Sequence, residues 1–166
     1  EEQKRQFSSR IIHTQSVFRW VRGTALSRGG PAYIPAQLVF WNYLITADEP
    51  LIQQPITSGA AGMHTLDGAV LAGLYELIQR DAFFIYWFNR IAPPRVRLES
   101  FTRPELRRLI ADIERYSLRV EILDVTSDLG IPTFLCVLLD TADAGPAVSM
   151  GAGCGSDPET AVMRSV

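Results

Sequence analysis

At 166 residues and 18.5 kDa, the chain is long enough for one domain that buries on the order of 70% of its unfolded surface without a disulfide or metal staple. Sixteen basic against eighteen acidic residues give a net charge of −2 and a pI near 5.7, which argues against duplex nucleic acid or an anionic membrane as the partner. Only 20% of residues are charged and the mean hydropathy is +0.08, an apolar balance for a small domain and not that of a disordered chain.

Cys136 and Cys154 lack Cys-x-x-Cys spacing and suit a reducing cytoplasm. His13 and His64 form no helical metal-binding pair, so zinc is not expected. The longest apolar runs, residues 83–88 and 134–139, fall far short of the roughly 20 residues that a bilayer span requires, and Glu1-Glu2-Gln3-Lys4 does not begin a signal peptide. A cytoplasmic location is the expectation.

Residues 1–16 are polar and poorly defined, with no periodic signal beyond Ile11 and Ile12. Val17, Phe18, Trp20 and Val21 have strand composition, and the segment stops at Gly23. Turn formers at 27–31 precede Ala32-Tyr33-Ile34-Pro35 and a β-rich run over 38–45. Two strands joined by a tight turn are predicted, with Pro35 at an edge or bulge. The small-residue loop Thr57-Ser58-Gly59-Ala60-Ala61-Gly62 leads to Thr65, the predicted N-cap of a helix running to about Asn89.

In that helix Val70, Leu74, Leu77, Ile78, Ile85 and Phe88 recur at helical spacing and predict its core face. On another face Gly68, Ala72, Glu76 and Arg80 follow at i, i+4, so small side chains lead up to a carboxylate and a guanidinium. Glu76 and Arg80 at this spacing also suit a plain surface ion pair. Gly73 costs a helix interior about 1 kcal/mol relative to alanine, which implies that something approaches the backbone there. The aromatics Phe83, Phe84, Tyr86, Trp87 and Phe88 suit a core or domain contact, since only Arg90 supplies a nearby cation for base stacking.

Thr102-Arg103-Pro104-Glu105 reads as a capping box for a helix striped with Leu106, Leu109, Ile110 and Ile113 and ending near Ser117. Strands are predicted over 120–123 and 133–139, separated by a turn at 128–132. The second is apolar enough to be central, with Cys136 in it as an inert small hydrophobe. A short strand near Ala147 and Val148 leads into a glycine-rich loop at 151–155, whose backbone N–H groups suit phosphates, although the full G-x-G-x-x-G is absent. Asp157-Pro158 then predicts an N-cap and first-turn proline of a last short helix.

Several of these segments, taken together, resemble the YcaO family. The loop Ser58-Gly59-Ala60-Ala61-Gly62 and the helix stretch Gly73-Leu74-Tyr75-Glu76-Leu77-Ile78-Gln79-Arg80-Asp81-Ala82 are similar to its small-residue loop and G-L-x-E-x-x-E-R-D-A helix. Asp128-Leu129-Gly130-Ile131-Pro132 is similar to its D-L-G-I-P turn, and Gly151-Ala152-Gly153 with Asp157-Pro158-Glu159-Thr160-Ala161-Val162-Met163-Arg164 to the start of a later helix. The resemblance implies an α/β domain of the α+β type, with a mixed sheet and flanking helices, over 1–166 as a partial YcaO domain.

It further implies an ATP- and Mg2+-dependent enzyme that phosphorylates backbone amides of a peptide or protein substrate. The products would be azoline heterocycles such as thiazolines and oxazolines, or thioamides or amidines, and a leader-peptide-binding protein would serve as partner. By position Glu76 would ligate magnesium, Arg80 would balance charge on the same helix, Arg164 would face nucleotide phosphate, and Ser58 and Gly59 would lie beside the nucleotide. Gln79 stands where the family carries a second glutamate, a neutral oxygen in place of a charged one at the metal. The family's upstream paired-glutamate helix and downstream E-x-x-Q segment have no counterpart in these residues, so the chain is expected to be an inactive fragment by itself, with uncovered apolar surface open to homo-oligomer formation. Three readings stay open: a catalytic cyclodehydratase, a degenerate relative that binds a peptide or partner without turnover, and an unrelated nucleotide-binding domain built on 151–155.

Overall fold

The structure is a computed structural model and describes residues 12–46, 48–54, 56–143, 145 and 147–166. The expectation for residues 1–11 lies outside them. The chain divides into two compact units, Glu1–Thr57 and Ser58–Val166.

In the first unit β1 (Trp20–Thr24) pairs antiparallel with β2 (Pro31–Pro35), from Trp20 opposite Pro35 to Thr24 opposite Pro31. Gly29 and Gly30 turn the hairpin at φ of +66° and +82°, a region that glycine enters without a Cβ penalty. Both prolines fall at strand ends, as a residue without an N–H should. The β-rich run at 38–45 is not a strand. A single helical turn, α1 (Ala36–Val39), follows β2, and buried Gln37 ties it to the next segment by donating to the Pro50 carbonyl at 2.8 Å and accepting from the Ile52 N–H at 3.1 Å. Composition favours a strand there, but a side chain that bridges two backbone groups fixes a different path. Glu49 is also buried, and its carboxylate accepts from the Arg19 N–H at 3.2 Å and the Tyr43 hydroxyl at 2.8 Å.

The second unit is three layers. A sheet ordered β3 (Arg95–Val96), β4 (Leu118–Asp124), β5 (Thr133–Asp140) and β6 (Val148–Cys154) lies between α2 (Leu66–Phe88) on one face and α3 (Pro104–Glu114) with α4 (Pro158–Ser165) on the other. A 3₁₀ turn, Leu98–Ser100, leads into α3. Strand alternation assigns the faces. Val120, Ile122, Phe134 and Cys136 pack with Leu106, Ile110, Ala161 and Val162, whereas Leu135 and Val125 pack with Ala82. The α/β class with flanking helices is as expected and β5 is central, but every pairing among the described residues is antiparallel, where a mixed sheet was expected. The connections at 125–132 and 141–147 are shorter than the dozen or so residues that a parallel crossover requires.

Other differences have local causes. The expected core face of α2 is mostly exposed, Leu74 at 47%, Leu77 at 45% and Phe88 at 72%, because its buried positions are Gly73 and Ala82, with Phe83 and Tyr86 on the sheet. Phe83 stacks on Trp87 with centroids 5.5 Å apart, and Phe84 on Phe88 at 5.2 Å. The capping box at Thr102 does not form. Arg103 is the N-cap of α3 without a side-chain cap bond, and Glu159 of α4 accepts instead from the Thr102 N–H and hydroxyl, both at 2.7 Å, and from the Arg103 N–H at 2.8 Å. A carboxylate delivered by tertiary packing has displaced the local partner. Cys136 is buried and its thiol pushed up to about 11, so it stays protonated at neutral pH. No helix among the described residues is long and apolar enough to cross a membrane.

The largest correction concerns residues 151–155. Gly151 to Cys154 belong to β6, where a phosphate-binding loop was expected. A Cβ on Gly151 would lie 2.1 Å from the Ser165 carbonyl oxygen, and one on Gly153 2.0 Å from that of Ala161. These glycines let the α4 backbone lie directly on the strand, which removes the basis for a separate nucleotide site there. The N-terminus of α4 does form as expected, with Asp157 accepting from the Thr160 N–H at 2.7 Å and Pro158 in the first turn.

The contacts that dock α4 are sensitive to acid. Asp157 lies below its ordinary range because the Thr160 hydroxyl and N–H favour its charged form, with Arg103 adding its positive charge. Glu159 is lowered by the Thr102 hydroxyl and N–H, then by the Arg103 N–H and charge. The folded state therefore takes up these protons less readily than the unfolded chain. The stabilisation is complete above the ordinary values of 3.8 and 4.5 and is lost as pH falls through the lowered folded values. Glu159→Gln is expected to lower the urea midpoint at neutral pH and to flatten its decline between about pH 5 and 3. An acid limb unchanged from wild type would contradict this.

Candidate functional site

The site is assembled on the middle of α2. Thr65 caps the helix as predicted, accepting from the Gly68 N–H at 3.2 Å. The preceding loop turns back at Gly59, whose φ of +80° favours glycine, and its carbonyl oxygen rests on Gly73, 2.7 Å from where a Cβ would stand. The approach inferred from an interior helix glycine is thus made by the small-residue loop.

The same loop residue meets the carboxylate. The Gly59 N–H donates to Glu76 Oε2 at 2.6 Å, and Arg80 Nε donates to Glu76 Oε1 one turn on. The carboxylate therefore has one bond to each oxygen and lone pairs left over, with its side chain 25% exposed. Gln79 lies on the neighbouring position of the same helix and lines a cleft of about 270 Å³ with Arg80, Phe83, Phe84, Gly151 and Ala152. Ser58 is half-buried beside Gly59.

Arg164 reaches this helix from α4, on the far side of the sheet edge. Its guanidinium carbon lies 5.7 Å from the ring centroid of Tyr75, the residue before Glu76, and its Nη1 donates to the Cys154 carbonyl at 2.8 Å. Gly59, Glu76 and Arg80 are thus joined directly, Gln79 adjoins them, and Arg164 is tied in through Tyr75. Tyr75 carried no signal in the sequence, because the residue that it contacts is far along the chain and on another element.

The donor chemistry tests what such a place can hold. Among the described residues no three His, Cys, Asp or Glu side chains gather as a cage. Glu76 and Gln79 offer hard oxygens three positions apart on one helix, the type that magnesium takes when phosphates and water complete its octahedron. They suit a phosphate-bound magnesium ion and not a self-sufficient metal centre.

Comparison with known proteins places these features in a family. The model of the YcaO cyclodehydratase family, described as ATP- and Mg2+-binding, matches residues 1–166. A protein of Rhizobium leguminosarum bv. trifolii from the tfuA 3′ region is 30% identical over 156 residues, 89% of this chain and 37% of its own length. A heterocyclase in complex with substrate and cofactor superposes with a TM-score of 0.79 at 29% identity, over 88% of this chain and 19% of that one. YcaO from Methanopyrus kandleri, bound with AMPPCP and Mg2+, does so with a TM-score of 0.67 at 29% identity, over 88% and 38%. The chain therefore spans well under half the length of each, and by the match of the family model over all its residues it belongs to the YcaO cyclodehydratase family.

Proposed function

We propose that these residues are part of a longer cytoplasmic YcaO enzyme that uses ATP and Mg2+ to phosphorylate and activate backbone amides of a peptide or protein substrate, with both compact units contributing to one YcaO domain. The observation that carries this reading is the bond from the Gly59 N–H to Glu76, which ties the small-residue loop to the carboxylate of the family's helix. Glu76 holds the metal with Gln79 beside it, Arg80 fixes the Glu76 carboxylate from the next turn, Ser58 and Gly59 border the nucleotide, and Arg164 faces its phosphates. Bound magnesium would neutralise phosphate charge, the main demand of phosphoryl transfer. Azoline formation is the proposed outcome, with thioamide or amidine as relatives' alternatives, and a leader-peptide-binding protein is the proposed partner.

The test is phosphate release by the complete polypeptide in Mg-ATP, with candidate peptides. Absence of nucleotide binding would sink the enzyme reading. Gln79 supports the second reading, a degenerate YcaO protein that binds a peptide or partner without turnover, because it removes one negative charge from beside the metal. Gln79→Glu in the complete protein is expected to lower the magnesium concentration for half-maximal nucleotide binding by about tenfold, as an added carboxylate strengthens hard-cation binding. An unchanged magnesium titration would remove Gln79 from the metal site.

A further inference from the structure

Two contacts hold the Arg164 guanidinium, and a glycine beside it leaves it space. The Tyr75 ring of α2 lies against it at 5.7 Å, the Cys154 carbonyl at the end of β6 accepts from its Nη1 at 2.8 Å, and Gly155 leaves it room, since a Cβ there would stand 3.4 Å from the same nitrogen. The residue itself is exposed. An exposed arginine ordinarily samples many rotamers, and a ligand that needs it must first still it. Here a ring face, whose quadrupole attracts a cation, and a carbonyl hold the planar group from two directions. One of its five N–H donors is used by Cys154, and among the described residues the others have no acceptor.

We propose that Tyr75 is a positioning residue, whose ring holds the Arg164 guanidinium in one orientation so that its free donors meet the anionic phosphate oxygens of a nucleotide beside the Glu76 helix. The proposal rests on the nucleotide reading above. The phenol hydroxyl has no part in it, because the attraction comes from the ring. Phenylalanine at 75 should therefore preserve the arrangement, and leucine, with no π face, should not.

The test measures Mg-ATP affinity of the complete protein by calorimetry, together with the Arg164 Nε–Hε signal in protein free of nucleotide, recognised by its absence in Arg164→Ala. Tyr75→Leu is expected to weaken Mg-ATP by about fivefold, the range of an exposed cation–π contact, and to abolish the ring-current shift of that signal. Tyr75→Phe should keep both. In an Arg164→Ala background Tyr75→Leu should have no further effect on affinity, which a general structural role would not predict. Should Tyr75→Leu lower the melting temperature, Tyr75→Met, also without a π face, is read in the same way. If Arg164→Ala weakens Mg-ATP while Tyr75→Leu and Tyr75→Phe bind alike, or the two losses add, the positioning proposal is wrong and the phosphate role of Arg164 stands. If Arg164→Ala leaves affinity unchanged, that role fails and takes the proposal with it.

Discussion

Glu76→Ala in the complete protein is expected to reduce Mg-ATP-dependent phosphate release by at least about 100-fold, the scale seen when one preorganised charge-stabilising group is removed from a transfer site. The substitution removes two things at once. One is the proposed metal ligand. The other is the acceptor for the Gly59 N–H at 2.6 Å and for Arg80, which are charge-assisted bonds. Loss of the first bond frees the loop that lies against Gly73 and should weaken its protection by about 1.5 kcal/mol or more.

Glu76→Gln separates the two duties. Its amide oxygen still accepts from Gly59, so the loop stays docked, while the charge that draws a hard cation is gone. Hydrogen exchange of the Gly59 amide should be fast in the alanine variant and near wild type in the glutamine variant, with phosphate release low in both. Mg-ATP turnover unaffected by Glu76→Ala would remove Glu76 from the site, whatever happens to the loop.

The second large effect is on stability. Gly153→Ala places a methyl group 2.0 Å from the Ala161 carbonyl oxygen, 2.7 Å from the Ser165 nitrogen and 3.0 Å from the Arg164 carbonyl carbon. All three are backbone atoms of α4, so no side chain can swing away and the helix must shift. Overpacking of this kind costs about 3 kcal/mol, seen as a lower urea midpoint of unfolding. Gly62→Ala is the control, since its Cβ would meet nothing within 4 Å. It should change stability by no more than about 0.5 kcal/mol. Similar midpoints for the two variants would contradict the direct packing of α4 on β6. Because α4 also carries Arg164, the Gly153 variant should weaken Mg-ATP binding even where it remains folded.

The family pattern was legible because its chemistry sits in short stretches. Thr65 as N-cap, the turn before Ile131-Pro132 and the Asp157-Pro158 helix start each depend on residues a few positions apart, Gly73 as a point of close approach was marked by its own cost inside a helix, and the structure has each as read. The errors fall where a distant group decides. Glu159 takes the donors that a capping box at Thr102 would have used, and Gln37 bends a β-rich run away from the hairpin by binding backbone at 50 and 52.

Glycine spacing at 151–155 shows the ambiguity most clearly. A bare backbone serves a phosphate and a packed helix equally well, and only the position of α4 distinguishes them. The exposed apolar face of α2 has the same cause, since periodicity reveals that a stripe is apolar but not what it touches. The charge balance, the absence of a long apolar span, the glutamate helix and its small-residue loop were thus determined by the sequence alone. The pairing of the strands, the packing of α4 on β6 and the seat of Arg164 on Tyr75 were decided by tertiary structure, because each depends on which surfaces meet in space, and Tyr75 and Arg164 in addition lie far apart along the chain.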